Sequence, residues 1–154
     1  MPLDLERHKM LRDYAWDYFA LHADQRIKTF NFFVVFATLL AGAIVGLIKD
    51  KGDIRWISLL GFLLFFLSII FWALDRRNRG LVRNGEEAIK FLDAELDLPD
   101  FRGAPHVLQI FAHDDHFTDE GFHITYSKCL GFVFFIFAVL GIALGVASLW
   151  LHHS

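Results

Sequence analysis

Residues 30–48 read FNFFVVFATLLAGAIVGLI, without a single Asp, Glu, Lys, Arg, His or Pro. A bilayer core about 30 Å thick is crossed by about 20 apolar residues in helical form, so this stretch reads as a transmembrane helix. Two further runs meet the same criterion: 56–74, WISLLGFLLFFLSIIFWAL, and 129–151, CLGFVFFIFAVLGIALGVASLWL. Backbone amides and carbonyls in lipid must be satisfied within the protein, which leaves helices or closed barrels. Runs of this length without alternation select helices. The expected fold is an all-α integral membrane protein with three transmembrane helices.

Working outward, only KDKGDIR at 49–55 separates the first two runs, short enough to force an antiparallel helical hairpin. Fifteen Lys and Arg orient the chain: five precede the first run, three lie in the link, seven fall between the second and third runs, and none follows the third. Cytoplasmic segments carry the excess of Lys and Arg, so the amino terminus and the central segment are expected inside and the carboxyl terminus outside. Trp56, Trp72 and Trp150 fall at expected membrane–water interfaces, where an amphipathic ring gains most. The organisation read from this pattern is a cytoplasmic amphipathic helix over 1–28, the hairpin over 29–74, a cytoplasmic helical segment over 75–128 and the third span over 129–151.

The composition agrees with a lipid-facing chain: 55% of the 154 residues are hydrophobic and 16% aromatic, with a mean hydropathy of +0.41. A formal net charge of -3 with dispersed basic residues disfavours duplex nucleic-acid binding. The single cysteine, Cys129, has no disulfide partner in the chain and is expected as a packed, inert thiol. The charged first 25 residues contain no apolar core with a cleavage site, so insertion is expected to rest on the internal spans.

From Asp4 to Lys28 no Pro or Gly interrupts the chain. Arg7, Leu11, Tyr14, Tyr18 and Leu21 share one helical face, flanked by Met10 and Ala15, which predicts an amphipathic helix. It is expected to continue into the first span as one rod of about 65 Å at 1.5 Å per residue. Acidic Asp13, Asp17 and Asp24 disfavour its attachment to lipid headgroups and favour packing on the central segment. That segment places Leu81, Ala88, Ile89, Leu92 and Leu96 on one stripe, predicting a helix that ends before Pro99. Gly80 and Gly85 each cost about 1 kcal/mol relative to alanine inside a helix, which predicts a kink or a close packing contact.

Helices associate in lipid where small residues let backbones approach. Thr38, Gly42 and Gly46 form such a stripe on the first span, and Ala138, Gly141, Gly145 and Ser148 on the third. Packing within one protomer and contact between subunits both fit, and a chain this small is expected to act as a homo-oligomer.

Two groups carry candidate chemistry. Arg76, Arg77, Arg79 and Arg83 abut the second span, and their forked guanidiniums suit phosphate or carboxylate. They read either as orientation determinants that reach lipid headgroups or pair with Asp75, Glu86 and Glu87, or as a site for a nucleotide or oligonucleotide. His113, His116 and His123 cluster before the third span and read either as part of a solvated juxtamembrane loop or as a metal-binding or pH-sensing group, although their spacing matches no metal-site pattern. No nucleophile elbow, phosphate-binding loop, dinucleotide fingerprint, haem ligand pair or zinc-protease helix is present. No enzyme activity and no cofactor are therefore expected. The spans lack ionisable residues, which disfavours a proton-coupled transporter but leaves a pore gated by a hydrophobic constriction.

An amphipathic first helix, a tight two-span hairpin, and a helix that opens with Asp75-Arg-Arg-Asn78 and continues to Gly85-Glu86-Glu87-Ala88 together resemble the small bacterial inner-membrane proteins of the RipA-like octameric type. More loosely, residues 5–97 are similar to SLATT domains, two-span effectors of nucleotide-triggered and anti-phage systems. The resemblance implies a homo-oligomer in the bacterial inner membrane and, on the SLATT side, membrane permeabilisation that halts an infected cell. A non-conducting scaffold or sensor that binds a cytoplasmic protein partner is the alternative. The third span departs from the two-span plan.

Overall fold

The computed structural model describes residues 5–95 and 126–153. These form three helices: α1 Leu5–Lys49, α2 Ile54–Ala94 and α3 Tyr126–His153. No strand occurs among the described residues. Each helix contains a run long and apolar enough to cross a membrane, so the all-α membrane fold is established.

α1 is continuous for 45 residues, with Glu6 in its first turn and Lys49 in its last, each complementing the helix dipole. It ends in a Schellman turn: Gly52 N–H donates to the Leu47 carbonyl at 2.8 Å and Lys51 N–H to that of Ile48 at 3.4 Å. Lys51 takes the left-handed conformation this turn requires, at φ 51°. Asp53 then caps α2, its Oδ1 accepting the Arg55 N–H at 2.9 Å. A helix stop and a helix start thus occupy the four residues Asp50–Asp53.

The chain divides into two compact units, one of Met1–Gln25 with Asn78–Ile124 and the other of Arg26–Arg77 with Thr125–Ser154. In the first, Ala15, Ile89 and Leu92 are buried, with Leu11 and Phe19 packed against them. A Cβ on Gly85 would lie 2.9 Å from Phe19 Cβ, so this glycine makes a close contact between α1 and α2. Of the expected face of Arg7, Leu11, Tyr14, Tyr18 and Leu21, Leu11 packs on this core, whereas Tyr14 and Leu21 are 70% and 54% exposed; the buried α1 residues here are His8 and the flanking Ala15, with Phe19 packed beside them. The reason is fit. Ala15 permits close approach, and the His8 ring satisfies a carbonyl near the end of α2, its Nε2 donating to Leu92 O at 2.7 Å. Arg12 Nε donates to Asp93 Oδ1 at 2.9 Å one turn further on.

The second unit holds the membrane-length runs. Its core is Phe33, Ala37, Leu64, Leu130 and Phe134, surrounded by further aromatic and aliphatic side chains. Phe33 is its hub, with ring centroids 4.6 Å from Phe134, 5.6 Å from Phe71 and 5.6 Å from Phe137. Lipid supplies no hydrophobic drive between helices, so dispersion and edge-to-face pairing, about 0.5–1.5 kcal/mol per ring pair, hold this core. Cys129 corrects its expectation: it is exposed on α3.

Candidate functional site

At the end of the second unit where 30–48 begins and 56–74 ends, three polar residues meet among apolar neighbours. Arg26 of α1 donates from Nε to Asp75 Oδ1 at 2.7 Å, and from one terminal nitrogen to Asp75 Oδ2 at 3.4 Å and to Ser127 Oγ at 2.9 Å. Both side chains of the ion pair are only 11% exposed. Each of the three helices contributes one group, so a single guanidinium fork ties α1, α2 and α3 together. Sequence reading placed Asp75 among partners for the neighbouring arginines; its structural partner is Arg26. A signal existed: Arg26, Asp75 and Ser127 each stand within four residues of an apolar run, at ends that the hairpin topology brings to one level.

All four arginines at the exit of the second run are exposed on α2. Arg76 and Arg77 belong to the membrane unit, and Arg79 and Arg83 to the other. The Arg76 guanidinium lies over the Trp72 ring, 5.8 Å from its centroid. Arg83 Nε donates to Glu87 Oε1 at 2.9 Å on an exposed surface, a pair worth little in stability. His113, His116 and His123 lie outside the described residues. Among the described residues, no group of three or more His, Cys, Asp or Glu side chains is placed to hold a metal.

The small residues behave differently on the two helices. On α3, Ala138, Gly141, Gly145 and Ser148 are all buried, and they meet α2 within the same protomer. A Cβ on Gly141 would lie 2.6 Å from Phe65 N and 2.7 Å from Gly61 O, and Gly145 faces the Phe62 ring at 3.2 Å. Ser58 Oγ donates to Gly145 O at 3.0 Å across the same seam. Gly61 is the α2 half of this contact and was absent from the stripes read in sequence, because one glycine without a second at helical spacing makes no stripe. On α1, Thr38 and Gly42 are exposed and Gly46 is half-buried; nothing lies within 4 Å of a Cβ built on either glycine.

The first unit also presents an apolar groove of about 450 Å³ between α1 and α2, bordered by Leu11, Tyr14, Tyr18, Ala88 and Phe91.

The family model described as the octameric membrane protein family matches residues 9–151. CD-NTase-associated protein 19 of Escherichia coli is 32% identical over 139 residues, which cover 87% of this chain and 87% of the relative. No solved structure matches the chain. The match spans all three membrane-length runs, and the chain belongs to the octameric membrane protein family, a homo-oligomer associated with the membrane.

Proposed function

We propose that this protein is a homo-oligomeric membrane effector of anti-phage defence, assembled from eight copies in the bacterial inner membrane, which permeabilises that membrane when triggered. The observation that carries the reading is three membrane-length helices in a chain of an octameric membrane family. The relative named as CD-NTase-associated and the resemblance to SLATT effectors supply the context of defence. On this reading the amino terminus and the central segment face the cytoplasm, in line with the Lys and Arg distribution. Thr38 and Gly42, exposed on α1, are assigned to subunit contacts, since small residues at a helix surface let a second backbone approach.

The trigger assigned here is an anionic nucleotide or oligonucleotide sensed on the cytoplasmic side by arginine. Of the four candidates, Arg76 stacks on Trp72 and Arg83 holds Glu87. Arg77 and Arg79 are left without a partner among the described residues. No catalytic step is part of the reading. Expression of the protein in cells carrying a potential-sensitive dye tests it: loss of membrane potential with growth arrest is expected, and an intact potential in cells with correctly inserted protein overturns the pore.

A non-conducting scaffold is the second reading, favoured by the exposed aromatic groove of the first unit, where Tyr14 and Phe91 are 70% and 63% exposed. Such a protein would bind its partner without altering the potential.

A further inference from the structure

A second groove, of about 220 Å³, runs between α2 and α3 on the surface of the membrane unit. Its α2 wall is Ser68, Ile69 and Trp72, and its α3 wall is Gly131, Phe134, Phe135 and Ala138. The Ser68 hydroxyl is spent on the Leu64 carbonyl at 2.8 Å, so apart from the Trp72 indole the walls offer a ligand apolar surface. A narrow groove with apolar walls suits a hydrocarbon chain. Gly131 leaves the groove open: nothing lies within 4 Å of a Cβ built there.

Two cations stand beyond one end of the groove's walls, Arg76 on α2 and Lys128 on α3. Arg26 contacts both Asp75 and Ser127, which sets those two residues at one level of the unit. Their immediate neighbours in sequence are Arg76 and Lys128, both exposed. Ser68, Trp72 and Arg76 follow one another at i, i+4, i+8 on α2, while Lys128, Gly131, Phe135 and Ala138 share a face of α3. Each apolar wall therefore ends in a cation, and the Arg76 guanidinium is held over the Trp72 ring at that end. The only carboxylate adjacent in sequence to these two cations, Asp75, is occupied by Arg26.

We propose that this groove binds an anionic phospholipid, with an acyl chain along Trp72, Gly131, Phe135 and Ala138 and its phosphate between Arg76 and Lys128. Phosphate pairs with charged donors through hydrogen bonds about twice as strong as neutral ones, and the apolar wall adds the selection for a lipid over free phosphate. The site stands whether or not the oligomer conducts.

Native mass spectrometry of the full-length protein released from detergent tests this, with phosphatidylglycerol and phosphatidylcholine of identical acyl chains as probes. The wild type is expected to retain phosphatidylglycerol several-fold more than phosphatidylcholine. Gly131→Leu fills the groove from its open side and is expected to lose retention of both at unchanged oligomer mass. R76Q/K128Q is expected to bind the two lipids equally. Equal retention by the wild type, or wild-type retention by both variants, overturns the site. Displacement of the lipid by millimolar inorganic phosphate overturns the role of the apolar walls. A fall in oligomer mass with Gly131→Leu at unchanged lipid retention gives the groove to a neighbouring copy and equally overturns the proposal.

Discussion

Arg26 and Asp75, 49 positions apart, form a largely buried fork in which Nε and one terminal nitrogen face both carboxylate oxygens, at 2.7 and 3.4 Å. Removing one partner of a buried pair leaves an uncompensated charge and costs about 3–5 kcal/mol, whereas replacing both by apolar groups is often neutral. Arg26→Met and Asp75→Leu are each expected to lower the unfolding midpoint in detergent, followed by circular dichroism, and R26M/D75L to recover most of the loss. Single variants as stable as the parent would show that the pair does not hold the three helices.

The glycines separate folding from assembly. A Cβ on Gly61 would lie 2.7 Å from the Gly145 backbone nitrogen, with no flexible atom to yield, so Gly61→Val is expected to abolish folded, extractable protein. A Cβ on Gly42 has nothing within 4 Å of it, and the residue is exposed. Gly42→Leu is expected to leave the protomer folded and to reduce the oligomer mass in detergent. An unchanged mass would turn the α1 stripe toward lipid.

Orientation is checked by reporter fusions. A periplasm-active reporter fused after Ser154 should be active and one inserted at Pro99 silent, with the reverse for a cytoplasm-active reporter. The opposite pattern at either position removes the assigned topology.

Gating by an anion predicts a phenotype without an assembly defect. R77Q/R79Q is expected to insert and assemble as the parent does, yet to lose any dependence of liposome ion flux on added nucleotides or oligonucleotides. Charge-assisted hydrogen bonds contribute about 1.5–3 kcal/mol each, so losing two weakens nucleotide binding by about a hundredfold or more. A parental nucleotide response in the inserted, assembled variant ends the idea.

What the sequence by itself determined is the three-span helical fold. Lipid offers the backbone no hydrogen bonds, and a run of about 20 apolar residues has few alternatives to spanning as a helix. The short KDKGDIR link likewise made a hairpin unavoidable, since neighbouring spans joined by so few residues must run antiparallel. The tertiary structure alone decided which faces meet. On α1 the packed face turned from Tyr14 toward His8, Ala15 and Phe19 while keeping Leu11, because an aromatic hydroxyl can stay exposed and Ala15 admits a neighbour closely. Gly61 acquired its meaning only opposite Gly141 and Gly145. Arg26 and Asp75, unremarkable as charges flanking two spans, became a pair only when the ends of three apolar runs were brought level. Periodicity along a chain reports how apolar a helix is and on which side, whereas complementarity between two helices is a property of the pair.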